Sequence, residues 1–84
     1  MGRIIYGDHV SIDHDGETLP WRQLADLIRR QIESGELPRG RRVPSENTLA
    51  REYGVTRGTA KKALDSLVEV GLVRRVQGRG TFAA

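Results

Sequence analysis

The stretch Pro44–Leu67, PSENTLAREYGVTRGTAKKALDSL, constrains the fold of this chain more than any other. It predicts two short helices joined by a tight turn. Ser45 is a good N-cap, and Glu46 sets negative charge beside the positive helix end. Leu49, Ala50 and Tyr53 then fall on one helical face. Gly54 can take the left-handed conformation that stops a helix, and Thr56 can cap the next one. Ala60, Ala63, Leu64, Leu67 and Val68 follow the i, i+3, i+4 spacing of a core-facing stripe. The opposite face carries Arg57, Gly58, Lys61 and Lys62. Two helices about a short glycine-containing turn, the second apolar inside and basic at its outer start, make a helix-turn-helix pattern. DNA binding is the hypothesis this pattern raises.

Eighty-four residues make one small domain, which buries only about 60–65% of its unfolded surface. The chain has no cysteine, which excludes disulfides and thiolate zinc and fits a reducing compartment. No apolar run approaches the ~18 residues of a membrane span, and no signal-peptide core is present, so a cytoplasmic protein without a membrane partner is expected. The net charge of +3 hides an asymmetry. Residues 1–20 hold one basic and four acidic side chains, whereas residues 21–84 hold thirteen basic and seven acidic. A basic domain behind an acidic entry segment fits a polyanionic partner, although charge of this size can also simply keep a small domain in solution.

Ahead of the central stretch, residues 3–6 and 10–12 are rich in Ile, Val and Tyr around Gly7-Asp8, and can pair as a short hairpin. Asp13-His14-Asp15-Gly16-Glu17 resembles a fragment of a calcium loop but lacks its twelve-residue ligand pattern, so a solvated acidic turn and no metal are expected. Pro20 suits the first turn of a helix, along which Trp21, Leu24, Ala25, Ile28 and Ile32 form a stripe flanked by Leu27 and ended by Gly35. Pro38, Gly40 and Arg39, Arg41 and Arg42 form a loop, and Val43 can bridge to a later strand. Leu72–Val76 reads as a strand, Gln77-Gly78-Arg79-Gly80 as a turn, and Thr81-Phe82 as the start of a return strand. Strict alternation fails between Val73 and Val76, which leaves their faces unassigned. The expected fold is mainly α: three helices plus a C-terminal β-hairpin, a winged helix-turn-helix over residues 18–84, with residues 1–17 as a strand or hairpin extension.

Taken in order, these residues resemble the N-terminal DNA-binding domain of the GntR family of bacterial transcription regulators, over about residues 19–83. The resemblance rests on Ile32-Glu33-Ser34-Gly35-Glu36-Leu37, Pro38-Arg39-Gly40, Pro44-Ser45-Glu46, Leu49-Ala50, Gly54-Val55-Thr56-Arg57, Thr59, Ala63-Leu64, Gly71-Leu72-Val73 and Gly78-Arg79-Gly80-Thr81-Phe82. It implies a winged helix-turn-helix that binds palindromic operators as a homodimer, with no cofactor. It also implies contacts from Thr56, Arg57, Gly58, Thr59 and Lys61 in the recognition helix and from Gln77 and Gly78 in the wing. Ser45, Asn47, Lys62 and Arg79 complete the candidate set. The family often has Arg where this chain has Asn47, and Ser or Thr where it has Gly58. Typical members continue into an effector-binding or oligomerisation domain. This chain resembles the very short members without one, or a member cut short, and no small-molecule site is evident.

The side chains suit that role in different ways. Arg57 can fork onto a guanine edge, or instead clamp a phosphate or pair with Glu46 or Asp65. Thr56 and Thr59 can bond phosphates, with capping the first duty of Thr56. Gly58 allows close backbone approach or is merely tolerated in a first turn. Of Lys61 and Lys62, one is expected to face the groove and the other a phosphate or solvent. Gln77 and Arg79 flank Gly78 at a tip narrow enough for the minor groove, unless the glycines serve only the turn. The expected function is a sequence-specific regulator, a repressor. The alternatives are a protein-interaction winged helix and a nonspecific architectural DNA binder. No paired nucleophile or P-loop motif marks an enzyme. Dimerisation of so short a chain falls to residues 1–17, whose Ile4, Ile5, Tyr6, Val10 and Ile12 can either pair two copies or seal the first helix.

Overall fold

In the computed structural model, which describes residues 12–84, the expected helices form where caps and stripes coincide. Helix α1 spans Pro20–Glu33, with Pro20 in its first turn and Leu24, Ala25 and Ile28 buried. The Leu19 side chain makes no cap bond. Instead the Gln23 amide ties down the segment before the helix. It accepts the Asp13 N–H at 2.8 Å and donates to the carbonyls of Asp13 (2.8 Å) and Thr18 (2.6 Å). The expected hairpin over residues 3–12 lies outside the described residues except for Ile12, which is buried in the common core.

Strand β1 is the two residues Arg42–Val43. Helix α2 (Glu46–Tyr53) and helix α3 (Arg57–Glu69) follow, separated by Gly54, Val55 and Thr56. Their starts are built alike. The Ser45 hydroxyl accepts the Thr48 N–H at 3.1 Å and donates to the Thr48 hydroxyl at 3.0 Å. Thr56 does the same with Thr59, at 3.1 and 3.0 Å. Between them Gly54 sits at φ +67°, which an L side chain resists, so the first helix stops and the chain turns within three residues.

Strands β2 (Val73–Val76) and β3 (Gly80–Ala83) form the wing, and β3 lies between β2 and β1 in an antiparallel sheet. The return strand thus starts one residue earlier than the sequence predicts. Arg42 is level with Phe82 and Arg74, and Val43 with Thr81 and Arg75. Side chains alternate across a strand, so the row holding Val43 faces inward with the row of Val73 and Ala83. Val73 is 2% exposed and Val76 38% exposed, because their odd spacing puts them on opposite faces.

Helix α3 packs on α1, on α2 and on β2. Ala60 and Ala63 are wholly buried, small side chains that let neighbouring elements close in, while Leu64 and Leu67 fill the space beyond. Leu24→Ala, which empties a fully buried site on α1, is expected to lower unfolding stability by about 2–5 kcal/mol. Thr56→Ala, which removes a cap, should cost about 0.5–2 kcal/mol. Urea titration followed by circular dichroism measures both, and a larger loss for the cap than for the core would contradict the packing described.

Candidate nucleic-acid interface

The starts of α2 and α3 and the tip of the wing converge on one surface cleft of about 430 Å³. Ser45, Asn47, Arg57 and Arg79, four of the residues singled out from sequence, line it. Val43 and Leu64 also line it, so it opens directly over the core. Glu46 and Gly80 line it as well, and Arg42 and Thr81 complete the wall. Neither of the last two was legible as a site residue. Arg42 reads as one of three loop arginines, and only the pairing of β1 with β3 brings it to the wing.

Arg42 acts there as a brace. Its Nη2 donates to the Arg79 carbonyl at 2.6 Å, and its guanidinium lies 5.7 Å from the Phe82 ring centroid. A Cβ added to Gly80 would stand 3.4 Å from Arg42 Nε, so the arginine lies close over the strand. Gly78 has φ +77°, which the three-residue turn demands.

The other sequence-derived residues lie outside the cleft lining. Thr56 and Gly58 are exposed at the start of α3, and Gln77 and Gly78 are exposed on the wing. An added Cβ at Gly58 would meet only the Thr56 hydroxyl, at 3.9 Å, so no contact within the described chain requires glycine there. The Thr56–Thr59 pair has two hydroxyl protons and uses one between them, leaving one for an incoming acceptor. Lys62 Nζ stands 5.1 Å from the Trp21 ring centroid, which ties it to α1.

Charge is distributed unevenly over this surface. Asp65 binds Lys61 Nζ at 3.0 Å through one oxygen and Arg75 at 2.6 Å through the other. Arg75 also comes within 3.9 Å of Glu46. Lys61 first, then Arg75, hold the Asp65 carboxyl below the ordinary carboxylate range. A lowered value means that this pairing holds at neutral pH and is lost only as pH falls through the lowered value. The carboxylates proposed as partners for Arg57 are therefore engaged elsewhere, and among the described residues Arg57 makes no ion pair.

A second cleft, of about 290 Å³, lies between the Asp13–Thr18 turn and α1 and includes Gln23, Asp26 and Arg30. Among the described residues no three His, Cys, Asp or Glu side chains converge as metal ligands, and no helix is long and apolar enough to cross a membrane.

The sequence model of bacterial regulatory proteins of the gntR family matches residues 20–83. An uncharacterized HTH-type transcriptional regulator of Rhizobium meliloti is 54% identical over 62 residues, 74% of this chain and 25% of the relative. The mannosyl-D-glycerate transport/metabolism system repressor of Escherichia coli is 47% identical over 62 residues, 74% of this chain and 26% of its own length. The chain thus spans about a quarter of these curated relatives. Among solved structures, the DNA-binding domain of AraR in complex with an operator superposes with a TM-score of 0.75 at 40% identity, covering 80% of this chain and 82% of that one. YtrA of Sulfolobus acidocaldarius, a GntR-family transcription factor, gives a TM-score of 0.79 at 38% identity, covering 86% and 76%.

If Arg42 braces the wing tip, Arg42→Ala should lower backbone order parameters at residues 77–80 while leaving α1 unchanged. Nitrogen-15 relaxation reads both regions at once. Unaltered order at the tip would show that the turn holds itself.

Proposed function

The chain belongs to the gntR family of bacterial regulatory proteins, and from that premise we propose that it is the DNA-reading part of a transcription repressor acting in the cytoplasm. Its work is binding rather than catalysis. One observation carries the reading: Arg57, at the start of α3, makes no ion pair among the described residues and lines the same cleft as Glu46, Arg79 and Arg42, the brace that holds the wing. An unpaired guanidinium at a recognition-helix start can fork onto the O6 and N7 of guanine. The operator complex of the AraR domain supports double-stranded DNA as the ligand of this fold.

In this arrangement α3 enters the major groove with Arg57 on a base edge. The remaining hydroxyl proton of the Thr56–Thr59 pair goes to a phosphate, and bare Gly58 admits the sugar-phosphate chain. Ser45 and Asn47 meet the backbone from the start of α2, and Lys61 and Lys62 add positive charge along α3. Gln77, Gly78 and Arg79 approach the minor groove. One recognition helix covers only a few base pairs, so specific binding calls for a homodimer on a palindrome with half-sites about one helical turn apart. Residues 1–17 are the segment we assign to pairing two copies or sealing α1. A nonspecific DNA binder would share the charge but not the base preference.

Selection from random duplex DNA at physiological salt should enrich a palindromic sequence. Binding should weaken with salt at a log–log slope of about −0.9 for each phosphate neutralised. Arg57→Ala should cost about 1–3 kcal/mol on that sequence and relax preference at one or two positions. Lys62→Ala should weaken selected and random DNA by similar factors. No enrichment, or a slope near zero, would overturn the reading; an intact preference in Arg57→Ala would reduce Arg57 to a phosphate contact.

A further inference from the structure

The cluster at the middle of α3 has no role in base reading as described above, yet it joins three elements. Arg75 lies on the inward row of β2, level with buried Val43, and reaches across to α3 and the start of α2. Each Asp65 oxygen holds a different cation, so the carboxylate is fully engaged. Its side chain is 42% exposed, and ion pairs this open stabilise a fold by only about 0–1 kcal/mol. Stability is therefore a poor account of three charged groups gathered on a surface turned toward a polyanion. A carboxylate there repels phosphates, and nonspecific DNA binding is almost wholly electrostatic.

Resting on the DNA-binding reading, we propose that Asp65 is a specificity-determining residue that withholds Lys61 and Arg75 from phosphates of non-operator DNA and fixes the wing against the recognition helix. A long cation freed from its carboxylate can follow a phosphate in any register, which strengthens binding to every sequence. Held by Asp65, Lys61 is released only when the docked register offers it a partner worth more than the carboxylate. Arg75 stays on Asp65 throughout, as a positioning residue. The carboxylate thus lowers affinity for random DNA while the operator complex keeps its geometry.

The experiment titrates the whole chain and its Asp65→Asn variant, nearly the same in shape, against the selected duplex and a random duplex over a range of salt. Each freed cation that finds a phosphate should make the slope on random DNA steeper by about 0.9. At about 0.15 M salt, one or two such contacts strengthen that binding roughly five- to thirty-fold. The selected duplex should bind no more tightly than to wild type, so the ratio of specific to nonspecific affinity falls. Lys61→Gln alone should flatten the random-duplex slope by clearly less than one step of about 0.9, because Asp65 already holds that cation. Combined with Asp65→Asn, it should remove about one 0.9 step of the added slope. This pairing reads the effect against a background that is already Asp65→Asn and so separates it from any fault in folding. An unchanged random-duplex slope in Asp65→Asn would overturn the assignment to Asp65 while leaving DNA binding intact, as would a flattening by Lys61→Gln alone as large as the one it causes in the Asp65→Asn background. A wild-type chain that bound no duplex would overturn the DNA reading itself, and this inference with it.

Discussion

Burial of the inner stripe of α3 is the interaction on which the rest of the structure depends. Ala60, Ala63, Leu64 and Leu67 are buried together, and they bring α1, α2 and the wing to one helix. Each buried leucine contributes about 1.5–3 kcal/mol, against about 0–1 kcal/mol for an exposed ion pair. Packing therefore decides where α3 sits, and charge acts on a frame already set. With the stripe inward, Arg57, Gly58, Lys61 and Lys62 are left exposed on the outer side of α3. The functional face is thus a consequence of helical periodicity and a core that α3 alone completes.

Electrostatics then sorts that surface. Thirteen cations beyond residue 20 do not form a uniform field. Asp65 and Glu46 gather Arg75 and Lys61, Trp21 attracts Lys62, and the Arg79 carbonyl with Phe82 holds Arg42. Among the described residues, Arg57 and Arg79, which line the same cleft, make no ion pair. On the proposed reading, fixed cations would suit a surface that discriminates sequences, because long unrestrained side chains bind phosphates wherever they occur.

Most of the fold was legible because its signals are local. A hydroxyl cap, a left-handed glycine and an i, i+3, i+4 stripe each act within one or two turns, and Ser45, Gly54 and Thr56 behave as their chemistry dictates. The proposed site was read from those same helix starts. What escaped depends on contacts distant in sequence. Arg42 becomes part of the wing only through its register with Phe82, forty residues on. Arg75 lies in a strand whose apolar residues do not alternate, so no periodicity marks its inward side. Asp65 and Glu46 were legible as possible partners of an arginine, but which arginine takes them depends on how the sheet sits against α3.

The central claim is that DNA meets the protein at the helix starts and the wing. A nitrogen-15 NMR titration of the labelled chain with a duplex recovered by selection tests it most directly. The account predicts that amide shifts concentrate at Ser45–Asn47, Thr56–Thr59 and Gln77–Gly80, with Asp26–Glu33 unmoved. Shifts gathered instead along α1 and the Asp13–Thr18 turn, with those three segments unchanged, would contradict it.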